Sequence, residues 1–159
     1  GSKLSALKII GILLINIVCT VTGIYFAYKT KERCETARQL LQMADMMAVE
    51  LSFSADNSRK IVNRLRKEKS LSRLSFLNDI DFENINIKTG LDPADDEKIN
   101  MLFKNLGNTD VQSMLKIINT FKESISASLC GYTDYSKSHS RLFTAFGVLG
   151  GLAVSIMLI

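Results

Sequence analysis

The sequence has a single histidine, a single proline and three scattered cysteines among its 159 residues, and each shortage removes a class of function. Cys19, Cys34 and Cys130 have no spacing that fits a disulfide framework or a metal site, and the odd, scattered set suits a reducing cytosol. His139 stands between serines with no nucleophile or acid in a motif around it, so it reads as a surface histidine. The acidic stretch from Asp92 to Glu97 lacks the alternating ligands, central glycine and terminal glutamate of a calcium loop. No glycine-rich phosphate loop is present. The chain is therefore expected not to be an enzyme, with no catalytic residue, metal, cofactor or small-molecule substrate. Strand signals are also missing: there is no alternating apolar run and no Asn-Gly or Asp-Gly hairpin turn.

Charge is absent from two stretches. Ile9 to Tyr28 is uncharged over 20 residues, and Leu142 to Ile159 over 18. A bilayer core about 30 Å thick needs roughly 20 apolar residues at about 1.5 Å rise each, so both qualify as spans. The first is longer than a signal peptide's apolar run and has no small-residue cleavage site before Lys29, which favours an uncleaved anchor. Between the spans, residues 29–141 carry 18 of the 20 basic residues and all 16 acidic ones. Gly1-Ser2 reads as a cleavage scar left by expression. The expected organisation is all-α: a transmembrane helix at 9–28, an antiparallel helical bundle domain at 29–141 and a transmembrane helix at 142–159.

Orientation follows from the basic residues at the membrane edges. Lys3 and Lys8 precede the first span; Lys29, Lys31, Arg33 and Arg38 follow it, and Lys137 and Arg141 precede the second. The positive-inside bias places the middle domain in the cytoplasm.

The middle reads as helices. Ala37, Leu40, Leu41, Ala44, Met47, Ala48 and Leu51 form one apolar stripe, and no Gly or Pro lies between Gly23 and Gly90, so the first membrane helix is expected to continue into it. Ser54 or Asp56 is expected to cap a second helix bearing Ile61, Val62 and Leu65. Leu71, Leu74, Leu77 and Ile80 suggest a third, and residues 81–91 a loop. Asp92-Pro93 opens a helix that ends at Gly107. Thr109 or Asp110 then caps one long helix running into the second span.

Two features invite a functional reading. Gly23 and Ala27, and Gly147 and Gly151 with Gly150 beside them, give small-residue spacings that let membrane helices approach closely; Asn16 is a further polar contact. On the second helix Lys60, Arg64 and Lys67 fall at i, i+4 and i+7, within a segment from Arg59 to Arg73 holding seven basic residues against Glu68. That row is either a solvated face or a dock for an acidic protein surface or anionic lipid. Nucleic acid is not expected, because no aromatic residue interleaves the basic ones.

Leu106-Gly107-Asn108-Thr109-Asp110-Val111-Gln112 and Arg141-Leu142-Phe143-Thr144-Ala145-Phe146-Gly147-Val148-Leu149-Gly150-Gly151-Leu152 are similar to two segments of the stage III sporulation protein AB family. Arg38-Gln39-Leu40-Leu41 and Val49-Glu50-Leu51 resemble its N-terminal half. The chain departs from the family at Phe146, where leucine is usual, and at Ser54–Asn57. The resemblance implies a subunit of the channel between mother cell and forespore, sited in the mother-cell membrane. It implies a domain similar to the cytoplasmic domains of type II secretion and type IV pilus platform proteins. The partner it implies is an ATPase resembling stage III sporulation protein AA, with other channel subunits; a second copy of the chain is a further expected partner. The competing expectation is a two-span sensor with an extracytoplasmic helical bundle.

Overall fold

The structure, a computed structural model, describes residues 2–53 and 57–158; it leaves undescribed the side chains of Ser140, Thr144, Val148, Gly151, Val154, Ser155, Met157 and Leu158. The described residues form helices and loops, with no strand among them. Helix α1 is Ser2–Phe53, α2 Ser58–Lys67, α3 Pro93–Asn105 and α4 Val111–Leu158, with short 3-10 turns at Lys69–Leu71 and Ser75–Asn78. By compactness the chain divides into one unit of Arg33–Tyr132 and another of Gly1–Glu32 with Thr133–Ile159.

In the Arg33–Tyr132 unit, the apolar spacings of the sequence become one buried cluster. Helix α1 supplies Ala37, Leu40, Met43, Ala44 and Met47, none with exposed surface, and α2 supplies Ile61, Val62 and Leu65. Helix α3 adds Ile99, Leu102 and Phe103, and α4 adds Met114, Ile118, Phe121 and Ile125. Leu41 and Ala48, expected in the buried stripe, sit at its margin, and Met43 takes the central place. Met43 follows Leu40 by three residues and Met47 follows it by four, so a helix of 3.6 residues per turn puts all three on one face.

The segment with Leu71, Leu74 and Leu77 is not a third α-helix. The two 3-10 turns bury these leucines, with the backbone N–H of Leu74 bonded to the Leu71 carbonyl at 3.0 Å and that of Leu77 to Leu74 at 3.1 Å. A strict three-residue spacing matches the three-per-turn geometry of the 3-10 helix, whereas an α-helix would rotate each successive leucine about the axis. Side chains of α1 hold the segment: Gln42 Nε2 donates to Ser70 Oγ at 2.9 Å, and Gln39 Oε1 accepts from the Arg73 N–H at 2.9 Å.

The loop at 81–91 is strapped to α3. Asn100 Oδ1 accepts the Ile87 N–H at 2.7 Å and its Nδ2 donates to the Ile87 carbonyl at 3.1 Å. Asp96 Oδ1 accepts from the Thr89 N–H at 3.0 Å and its hydroxyl at 2.5 Å. Asn100→Ala should cost about 2 kcal/mol, because it leaves part-buried backbone groups of Ile87 without partners. Amide exchange accelerating at 85–89 while that of α4 is unchanged would place the loss there.

Helix starts are set locally. Asn57 caps α2, its side chain accepting weakly from the Arg59 N–H at 3.4 Å; the expected caps Ser54 and Asp56 lie outside the described residues. Asp110 caps α4 through Ser113 N–H at 2.9 Å, and the hydrogen bonds from Ser113 hold its carboxyl below the ordinary value. Asp92 occupies the N-cap position of α3 but makes no side-chain cap bond.

Candidate functional site

Lys60, Arg64 and Lys67 are exposed on α2, but they are not a row of equal charges. The Arg64 guanidinium is ion-paired with Glu50 of α1. Arg66, one position from the row, turns its Nε to the Leu77 carbonyl at 2.8 Å and ties α2 to the second 3-10 turn. The basic surface of α2 thus includes side chains that also hold the fold together.

In the unit of 1–32 and 133–159, α1 is long and apolar enough to cross a bilayer, and 6% of its apolar window is buried. Ile9, Leu14, Val18 and Ile24 of α1 and Leu142, Phe146, Leu149 and Ile156 of α4 are exposed. The hydroxyls of Thr20 and Thr22 donate to the carbonyls of Asn16 and Val18, both at 2.8 Å, so neither needs solvent.

Within this unit the glycines differ. A Cβ on Gly23 would lie 2.5 Å from the Phe143 ring, and one on Gly150 would lie 3.1 Å from Asn16 Oδ1. Asn16 donates its Nδ2 to the Ile12 carbonyl at 3.0 Å. Gly147 has nothing within 4 Å of its added Cβ, and Ala27 is exposed. The surroundings of Gly151 lie outside the described residues. The structure therefore brings Gly23 to Phe143 and Gly150 to Asn16, and among the described residues it places no neighbour against Gly147. The sequence gives no sign that Phe143 is the ring that fills Gly23. Gly23→Leu should weaken the helix contact by about 1–2 kcal/mol, the range of close membrane contacts. Phe143→Ala in the same chain should restore much of it, as measured by unfolding in micelles. Additive losses in the double variant would show that the two positions do not share a contact.

The group not expected from sequence is a buried polar network in the Arg33–Tyr132 unit. Asp95 is 2% exposed. Its Oδ2 accepts from Tyr132 Oη at 2.9 Å, and its Oδ1 from Ser128 Oγ at 2.8 Å and Lys98 Nζ at 3.1 Å. Tyr132 Oη in turn accepts the Asp92 N–H at 3.2 Å. The Arg33 guanidinium carbon lies 5.8 Å from the Tyr132 ring centroid, and its Nη1 is 3.6 Å from Asp92 Oδ1. Arg33 Nε is buried without a hydrogen-bond partner among the described residues. The network joins α1, the start of α3 and α4 around one carboxylate, and three donors reach its two oxygens.

The signal for Asp95 was present in the spacing. Asp95, Ile99, Leu102 and Leu106 run i, i+4, i+7 and i+11, so the carboxylate continues the buried stripe of α3. Its place in the first turn of α3 also suits the positive end of the helix dipole.

Burial, reinforced by the Asp95 carboxylate, pushes the Tyr132 hydroxyl from 10.0 up to about 12. The folded chain keeps this proton where the unfolded chain loses it. The contribution is therefore complete below pH 10 and is lost as pH rises towards about 12. Alkaline unfolding should show this phase, and Tyr132→Phe should lack it.

The turn from α3 to α4 accounts for one segment singled out in the sequence. Leu106 is buried and Gly107 has φ +89°, a left-handed conformation that also brings its Cα side to Ser58 Oγ, 2.9 Å from an added Cβ. Any side chain there is strained and crowded. Asn108 Nδ2 donates to the Lys104 carbonyl at 2.9 Å, and Asp110 caps α4. Leu106–Asp110 is thus a helix-to-helix turn fixed by backbone geometry.

The comparisons with curated proteins and with solved structures find no match. The family model of stage III sporulation protein AB matches residues 8–83 and 77–159, essentially the full sequence. The chain belongs to the stage III sporulation protein AB family.

Proposed function

We propose that the chain is a non-enzymatic, membrane-anchored platform subunit of the channel between mother cell and forespore. In this reading residues 9–28 and 142–159 cross the mother-cell membrane, and the charged helical domain stands in the cytoplasm as an antiparallel bundle. There it docks a secretion-type ATPase. The observation that carries the reading is α1 itself. One unbroken helix runs from a stretch whose large apolar side chains are exposed to a stretch whose apolar stripe is fully buried. Exposed leucines and isoleucines in that number need lipid or protein around them. The family supplies the sporulation setting, and the absence of a recognisable catalytic motif supports a role in assembly.

Topology and docking test it together. Ser72 is exposed between the two 3-10 turns. A cysteine there, with the three native cysteines replaced, should resist an impermeant thiol reagent in intact cells and react after permeabilisation. Efficient labelling from outside would reverse the orientation and support the sensor design. Retention of the ATPase by detergent-solubilised chain from sporulating cells should accompany protection. Its absence would remove the docking role while leaving the anchor.

A further inference from the structure

The stretch of α4 just before its apolar end presents an open surface formed by Asp134, Lys137, Ser138, Arg141, Leu142 and Ala145. Their spacing puts all six on one helix face, polar at one end and apolar at the other. We propose that this face binds the phosphate of an anionic phospholipid, with Leu142 and Ala145 against the start of its acyl chains. The inference rests on the reading that 142–159 lies in a bilayer.

Charge and position support that occupant. Lys137 and Arg141 are exposed one turn apart, and among the described residues neither makes an ion pair or a hydrogen bond. A phosphodiester offers unesterified oxygens to a guanidinium fork, an ammonium and the Ser138 hydroxyl together. Arg141 directly precedes Leu142, so its guanidinium falls at headgroup depth, where long basic side chains reach from the edge of the apolar region. Asp134 lowers the formal charge of this face to +1, but it lies seven residues, about 10 Å along the axis, from Arg141 on the side away from the apolar end. The remaining positive balance favours an anionic lipid over a zwitterionic one.

The test uses the full chain reconstituted in vesicles of phosphatidylcholine with phosphatidylglycerol or phosphatidylethanolamine, followed by mass spectrometry of the lipids retained on mild extraction. The wild type should retain phosphatidylglycerol preferentially. Lys137→Gln/Arg141→Gln should lower that preference by about fivefold per cation removed. Lys29→Gln/Lys31→Gln, which removes the same charge from α1, should leave it intact. Equal retention of all lipids, an equal loss in both double variants, or displacement of the lipid by millimolar inorganic phosphate would each overturn the proposal. Resistance to alkaline carbonate separates the two readings. Release of the wild type by carbonate counts against the membrane anchor, whereas an embedded chain without lipid preference counts against this site alone.

Discussion

Asp95→Ala should destabilise the Arg33–Tyr132 unit by about 3 kcal/mol, at the lower end of what breaking a buried charged pair costs. The carboxylate is 2% exposed, so its own desolvation is offset only by the donors around it. Removing it leaves the hydroxyls of Ser128 and Tyr132 without their acceptor. Lys98 is the partner least harmed: its side chain is 36% exposed and can turn to water, which keeps the loss below the full range. Asp95→Asn keeps the shape and one acceptor oxygen, so its cost should be nearer 1–2 kcal/mol. Denaturant unfolding of the full chain in micelles, with amide exchange along α3, measures both. Equal stability of wild type and alanine variant would show that the network is incidental to folding.

The contrast between Asp95 and the core leucines shows what spacing conveys and what it does not. Apolar residues at 3.6-residue intervals identify a buried face because burial is what such spacing is for. The stripes of α1 and α2 are legible for that reason. A charged residue on the same stripe is ambiguous, since the sequence does not reveal whether donors from another helix will meet it. Ser128 and Tyr132 are 33 and 37 residues from Asp95, and only the fold brings them to its oxygens. Tyr132 is buried with the apolar side of α4, as its ring requires, while the destination of its hydroxyl depends on α3.

The leucines at 71, 74 and 77 failed as an α-helix for another reason. A three-residue interval is compatible with both helix types over one turn and diverges only over two or three. The side chains of Gln39 and Gln42 then hold the segment to α1, and their reach depends on packing rather than on local propensity. The glycines near the chain ends show the same limit. The sequence offered small-residue spacings, but which glycine receives a neighbour depends on helix rotation. Among the described residues Gly23 and Gly150 do so, and Gly147 does not.

The basic row was legible as charge but not as availability, and the ion pair of Arg64 with Glu50 changes how docking should be tested. Reversing all three residues would set two carboxylates against each other at Arg64 and confuse a folding defect with lost binding. Lys67→Glu, with Lys60 and Arg64 kept, avoids this. The position is exposed, so stability should change by no more than about 1 kcal/mol. Affinity for the proposed ATPase partner should fall on the order of 10-fold, because reversal replaces an attraction with a repulsion at the same surface. Wild-type binding should weaken with added salt, since exposed charges are screened over about 10 Å at 0.1 M. Titration of the purified ATPase against wild-type and variant chains at two salt concentrations gives both numbers. A variant that binds as tightly as the wild type would make the row a solvated helix face and move the docking surface elsewhere on the domain.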